Sequence, residues 1–266
     1  MSWRILFLIV STPLFGAYVG NPADPALMST GFFSTTYSFF KFTSGYVADY
    51  ISDKQYVAKQ TEPGFNPNDA FKRFGLYSQQ ASFSMIFIER LQLFGTAGGS
   101  KEHMKWKEKP TFDEVSEAVF DFQTTYHFSW SAGAKAVLFQ WGQTYFSGDF
   151  TYFAVPSSTK AFFKYFNRVN IPIDLAKHEF HLREWQGSLG LSSRFWFFTP
   201  YVGGTYLYSK LHISGGQDVP AINYRNKDKF GYFYGFTISL TGRFHLNFER
   251  RVRDEYAYSF STIAVF

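Results

Sequence analysis

The sequence predicts an all-β protein, a transmembrane antiparallel up-and-down β-barrel of about ten strands (8–12) behind an N-terminal signal peptide. Three observations carry that expectation. Aromatic residues make up 22% of the chain, with 35 Phe and 18 Tyr, while charged residues make up only 18%. A water-facing surface with so many rings would be aggregation-prone, whereas a lipid-facing surface has a use for them. Beyond the first 17 residues the apolar residues are spread through alternating segments, with no run of about 20 as a membrane-spanning helix would need. The chain also ends in Phe266, on an alternating last segment.

The N-terminus reads as a secretory signal. Arg4 gives a small positive region, and Ile5–Val10 continue into Ser11–Ala17 as an apolar core too short to span a bilayer comfortably. Cleavage after Ala17 is expected, and the alternative is an uncleaved anchor helix. Removal of 1–17 takes away Arg4 and no acid, so the net charge falls from +5 to +4. There is no cysteine, so stability must come from the strand ladder and lipid packing rather than disulfides. The dilute positive charge shows no clustered basic motif, and no nucleic-acid partner is expected.

Residues 18–33, rich in Pro, Gly and small residues, read as a periplasmic lead-in, which leaves 34–266 as the barrel. A weak strand covers roughly Thr36–Tyr50. Tyr77–Phe87 turns at Glu89-Arg90 into Leu91–Ala97. In the next segment Tyr126, Phe128, Trp130, Ala132, Ala134, Ala136 and Leu138 oppose His127, Ser129, Ser131, Gly133 and Lys135. Phe146, Gly148, Phe150 and Tyr152 oppose Ser147, Asp149 and Thr151. Trp185, Gly187, Leu189, Leu191 and Phe195 oppose Glu184, Gln186, Ser188, Ser192 and Arg194, before a turn at Phe197–Thr199 and a strand to about Ile213.

The clearest pair comes last. Phe230, Tyr232, Tyr234, Phe236, Ile238 and Leu240 form one face. After Thr241-Gly242-Arg243, Phe244, Leu246 and Phe248 alternate with His245, Asn247 and Glu249, and a final strand runs Tyr256–Phe266. One face is greasy and the other polar, as a membrane hairpin requires. Ten strands return both ends to the periplasm.

The connections alternate in length. The long ones (about 51–69, 99–122, 155–176 and 214–228) belong outside the cell, and the short ones (near 89–90, 140–142, 197–199 and 241–243) belong in the periplasm. Arg251–Glu255 is short yet falls on the outer side. Phe87, Phe139, Trp141, Trp196, Phe198 and Phe244 flank the short turns as a periplasmic aromatic girdle. Ordinary core rings of a soluble barrel would not explain their clustering on one rim. Phe266 shares its face with Ala264, Thr262, Phe260 and Tyr258. Tyr258, Phe260 and Phe266 together look like the C-terminal signal read by the barrel assembly machinery.

Several stretches resemble the chlamydial major outer membrane protein (MOMP) porin family. YVGNPADPALM at Tyr18–Met28 resembles that family's mature N-terminus. TTYHFSWSAGAKAVLF at Thr124–Phe139 and EWQGSLGLSSRFWFFTPYVGGTY at Glu184–Tyr206 are similar to family strand pairs, with FTPYVG at Phe198–Gly203 the most specific piece. Weaker echoes lie in Phe87–Ser100 and Arg250–Phe266. The resemblance implies an outer-membrane porin passing small hydrophilic solutes, often as a homotrimer. Family members are longer and generally cysteine-rich, so this chain would be a shorter, cysteine-free relative with fewer strands and a narrower lumen.

The pore-lining candidates are His127, Lys135, Asp149, Glu184, Arg194, Arg243, His245, Glu249 and Arg251. Lys135, Arg194, Arg243 and Arg251 against Asp149, Glu184 and Glu249 would favour anions slightly in an open lumen. The competing reading is that these charges pair across the lumen and fill it, because side chains can largely fill a ring of about ten strands. No nucleophile elbow, P-loop, dinucleotide fingerprint or zinc-protease motif occurs, so no catalytic residue, cofactor or metal is expected. His178 and His181 around Glu179 do not share a face in an extended segment. His212 and Asp218 could form a pair of a kind any loop-bearing barrel offers. The expected function is a porin-like channel for small hydrophilic solutes, embedded in outer-membrane lipid. The alternative is a non-conducting structural or adhesive barrel acting through loops such as 101–118, which carries His103, Trp106 and four Lys.

Overall fold

The computed structural model describes residues 20–27, 39–60, 73–108, 118–158, 161–166, 169–172, 179–213, 222–240 and 243–266. The expected signal peptide lies outside the described residues. Among the described residues one short helix, α1 (Asp24–Leu27), precedes fifteen strands. Ten of them form the ring: β1 (Phe40–Asp53), β3 (Arg73–Phe87), β4 (Leu91–Glu108), β6 (His127–Trp141), β7 (Thr144–Ser158), β10 (Glu179–Ser193), β11 (Phe198–Ile213), β13 (Phe230–Ser239), β14 (Phe244–Val252) and β15 (Tyr256–Val265). Each pairs antiparallel with its sequence neighbour in that set, and β1 pairs with β15, from Thr43 opposite Val265 to Asp53 opposite Tyr256. The ladder therefore closes without a free edge, which is what lets a sheet sit in hydrocarbon.

Alternation sets the two surfaces. Along β11 the inward positions Thr199, Tyr201, Thr205, Leu207, Ser209, Leu211 and Ile213 are buried, while Phe198, Val202, Tyr206 and Lys210 are exposed. On β14, His245, Asn247, Glu249 and Arg251 turn inward and Phe244 and Phe248 outward. A residue period of two on a closed sheet leaves no other arrangement, because a slip by one residue would put Arg251 into lipid. The β6–β7 hairpin needs only Gly142-Gln143 as its loop, and Gly142 sits at φ 58°, the left-handed region such tight hairpins demand.

The ten expected strands are all present, but several run further than lipid alone would require. β4 continues to Glu108 through residues expected in a long connection and pairs there with β5 (Ala118–Gln123). β5 pairs with β8 (Ala161–Phe166), and β8 with β9 (Val169–Pro172). The segments 99–122 and 155–176 are thus partly sheet, because a ladder extends wherever a neighbouring segment supplies backbone partners. β12 (Ile222–Asn226) pairs with β11 beyond the end of β13 and also with β2 (Tyr56–Gln60). This pair bridges from β11 to the chain leaving β1, past the ends of the shorter β13, β14 and β15. That bridge accounts for the short Arg253–Glu255 connection, since β2 and β12 provide the wall at that end.

Candidate functional site

The inward face is layered, and each layer follows from which residues the strands turn inward. At the long-loop end it is apolar. Ile51, Phe74, Leu76, Met104, Phe153, Val155, Phe180, Leu182, Leu211, Ile213 and Ala257 cluster with Tyr56 of β2 and Tyr224 of β12. Burying these side chains, at roughly 1.5–3 kcal/mol each, holds the two bridging strands against the ring.

Below that cluster lies a charged layer. Arg251 donates through Nη2 to both Asp49 oxygens, at 2.8 and 2.6 Å, through Nη1 to Glu249 at 3.1 Å, and through Nε to Glu255 at 2.6 Å. Ser259 donates to Asp49 and accepts from Arg251. Lys54 reaches Glu184 at 2.6 Å and Glu255 at 2.9 Å, and Ser209 donates to the same Glu184 oxygen at 2.6 Å. Glu255 joins the two cations, so the layer is one network running from β1 through β14 to β10. In the β14–β15 turn, burial pushes the Asp254 carboxyl up to about 6, and the neighbouring Glu255 adds to that. Glu255 itself resists its burial, because Lys54 and Arg251 hold it below the ordinary carboxylate range.

The short-turn half is occupied by the chain's own residues 20–27, in the segment read from sequence as a periplasmic lead-in. Lys135 donates to Asp24 at 2.7 Å and to the Asn21 carbonyl at 3.3 Å. Asn21 donates to Thr237 at 3.0 Å and accepts from Ser192 at 2.7 Å. Ala23 and Leu27 pack on Val137 and Tyr145. One octapeptide thus touches β6, β7, β10 and β13. Lys135 stands directly opposite Asp149 in the β6–β7 register and forms an ion pair with Asp24 at 2.7 Å.

The remaining inward wall is polar. Thr96 hydrogen-bonds Gln80 and Ser131, and Ser129 bonds Gln80 and Ser100. On the adjoining β7 and β10, Ser147 Oγ, Asp149 Oδ1, Gln186 Nε2 and Ser188 Oγ are buried and have no hydrogen-bond partner among the described residues. Buried hydroxyls, amides and carboxylates without a protein partner are where a protein ordinarily hydrates itself.

Of the nine pore-lining candidates, Lys135, Asp149, Glu184, His245, Glu249 and Arg251 are buried and face inward. His127 and Arg194 are half-buried at opposite ends of their strands, and Arg243 is exposed at a turn. Arg194 and Arg243 stand at the rim, and among the described residues the buried charges are mostly acidic. Buried Asp24, Asp49, Glu102, Asp149, Glu184, Glu249, Asp254 and Glu255 outnumber buried Lys41, Lys54, Lys135 and Arg251.

Asp49, Lys54, Glu102, Glu255 and Asp24 were not among the sequence candidates. Asp49 could have been found, since it shares the inward row of β1 with Thr43 and Val47. Lys54 and Glu255 sit in turns, where alternation says nothing. His178 and Asp218 lie outside the described residues, and His212 is hydrogen-bonded to Asn223. Among the described residues no group of three or more His, Asp or Glu is arranged to hold a metal.

The outward face carries two aromatic belts. At the short turns Phe139, Trp141, Trp196, Phe198 and Phe244 are exposed, with Trp141 at 90%, and Phe87 packs edge-on against Phe40. Tyr258 and Phe266 are also exposed, and Phe260 packs on Phe248. The second belt, towards the long loops, includes Trp130, Tyr152 and Trp185 in consecutive ring contact.

No protein-family model matches the chain. Over 266 aligned residues it is 24% identical to the major outer membrane porin, serovar E, of Chlamydia trachomatis, covering 70% of this chain and 67% of that protein. The serovar B porin of the same organism is 23% identical over 269 residues, covering 70% of this chain and 68% of that one. Among solved structures, the outer-membrane protease OmpT of Escherichia coli superposes with a TM-score of 0.48 at 10% identity, covering 87% of this chain and 99% of its own. OprG of Pseudomonas aeruginosa gives 0.38 at 10% identity, covering 86% and 96%. The protein is a β-barrel of the bacterial outer membrane. Its closed ladder, its lipid-facing ring of aromatics and its similarity to outer-membrane porins agree on that point.

Proposed function

We propose that this barrel is a porin-like channel for small hydrophilic solutes, held shut in the described conformation by residues 20–27. The observation that carries the reading is the wall behind that segment. Ser147, Asp149, Gln186 and Ser188 present polar atoms that no described residue satisfies, a costly arrangement for a welded core and an ordinary one for a surface that meets water. The segment is held by the Lys135–Asp24 ion pair, a few hydrogen bonds and the packing of Ala23 and Leu27 on Val137 and Tyr145, rather than by a continuous ladder. When it leaves, Lys135 has Asp149 as its direct cross-strand neighbour, so its charge need not be stranded. The porin similarity supports the same reading. The acidic balance of the buried groups favours cations over anions once the path is open.

A second reading, a non-conducting structural or adhesive barrel, is favoured by the apolar cluster at the long-loop end. A hydrophilic solute would have to pass it as well. Planar-bilayer recording of the full chain and of a chain beginning at residue 28 separates the two. Openings that become long-lived on truncation support the channel. Silence in both, with folding intact, supports the second reading.

A further inference from the structure

Above the outer aromatic belt, the outward face of β10, β11 and β12 carries a line of positive charge. Arg183, Lys210 and Arg225 are direct register partners across three adjacent strands, Arg183 opposite Lys210 and Lys210 opposite Arg225. Like charges placed directly opposite on a sheet repel. None of the three makes an ion pair with a carboxylate among the described residues. Lys210, Arg225 and Lys229 instead gather over the Tyr208 ring, at 5.4, 5.7 and 5.9 Å from its centroid. Arg183, Lys210 and Arg225, together with His181, His212 and Asn223, line a cavity of about 510 Å³.

The position of this cluster decides what it meets. Along β10 the outward row reads Leu191, Leu189, Gly187, Trp185 and then Arg183. Along β11 it reads Val202, Gly204, Tyr206, Tyr208 and then Lys210. Trp185 stands opposite Tyr208 and is in ring contact with Tyr152 in the belt, the rings tilted at 47°. The cations lie two residues further along tilted strands, about 5 Å higher along the membrane normal. Tryptophan and tyrosine mark the boundary between hydrocarbon and headgroups, so the next row sits among the outer-leaflet headgroups.

We infer that this cluster is a binding site for the phosphate groups of an anionic glycolipid in the outer leaflet. A phosphate would neutralise the cross-strand repulsion, and Arg183 and Arg225 offer planar forks that take phosphate oxygens two at a time. The acyl chains would lie down the apolar row formed by Trp185, Leu189 and Leu191. Because the row crosses three adjacent strands, it also orients the lipid, whose phosphates and chains must meet those strands at once.

The test is native mass spectrometry of the refolded full chain in detergent micelles doped with diphosphoryl lipid A. The triple variant Arg183→Gln, Lys210→Gln, Arg225→Gln is compared with a charge-matched control, Arg90→Gln, Lys101→Gln, Arg253→Gln. Circular dichroism and heat-modifiable gel migration check that each variant folds. The expected result is at least a tenfold loss of lipid A affinity in the first variant, with the control within twofold of the parent. Weaker binding of monophosphoryl lipid A to the parent would support the same assignment. Equal binding by the triple variant and the parent would overturn it. Displacement of lipid A by equimolar inorganic phosphate, or by a polyglutamate peptide, would overturn the lipid assignment by showing a site for soluble anions.

Discussion

Replacing Arg251 with Met removes the cation that three buried carboxylates share. Arg251 lies 2.6 Å from Asp49, 3.1 Å from Glu249 and 2.6 Å from Glu255, with every side chain in the group at most 1% exposed. Stripping one partner from a buried ion pair costs about 3–5 kcal/mol, because the charge left behind is neither solvated nor paired. Here three acids are left, and Lys54 offsets only the Glu255 share. The expected loss is therefore at the upper end of that range, about 5 kcal/mol. Urea unfolding from lipid vesicles, followed by tryptophan fluorescence, measures it. The mechanism makes a second demand. If the cost comes from stranded charge, adding Asp49→Asn to Arg251→Met should recover at least ~1 kcal/mol. A loss under ~1 kcal/mol for Arg251→Met, or a further loss on adding Asp49→Asn, would refute the reasoning.

Four other outcomes are expected. Lys41→Gln breaks a 2.6 Å pair with Glu89, but Glu89 is 43% exposed, so the same assay should show a loss of about 1 kcal/mol or less. Leu189→Arg places a charge on the lipid face between the two belts and should cost about 2–4 kcal/mol, whereas Trp196→Arg at the short turns should cost about 0–1 kcal/mol; equal costs would mean that the membrane band is misplaced. Asp254 binds its proton more tightly folded than unfolded, its value rising from 3.8 to about 6, so its contribution is full at low pH and is lost as pH climbs through roughly 4 to 6, on the order of 2–3 kcal/mol. Glu255, held low, acts in the opposite sense below that window. Asp254→Asn should remove the decline on the alkaline side, read from urea midpoints between pH 4 and 8.

How much of this could be read from the sequence differs between the wall and the lumen. The β13–β14 hairpin is legible because Phe230, Tyr232, Tyr234, Phe236 and Ile238 repeat at every second position of β13, and because on β14 Phe244, Leu246 and Phe248 alternate with His245, Asn247 and Glu249, which a bilayer would reject. The same alternation puts His245, Glu249 and Arg251 of β14 on the inward face, where they are buried. The network they belong to did not follow, because Lys54 and Glu255 come from turns, and pairing between distant strands depends on how the ring closes. Parity alone puts Arg194 and Arg243 inside, but they flank the ends of β10 and β14, where the long side chains meet the rim. The octapeptide 20–27 carries no alternation at all. What holds it in the lumen is a few specific contacts, Lys135 with Asp24, Asn21 with Thr237 and Ser192, and Ala23 and Leu27 against Val137 and Tyr145, and composition does not encode those. Bridging strands β2 and β12 are five residues each, too short to show a period.

The central claim is that residues 20–27 close a water-facing path, and single-channel recording in planar bilayers tests it most directly. The full chain should be silent or open briefly, while a chain beginning at residue 28 should give long, discrete, cation-preferring steps. Steady conductance by the full chain, or a folded truncated chain as silent as its parent, would contradict the account.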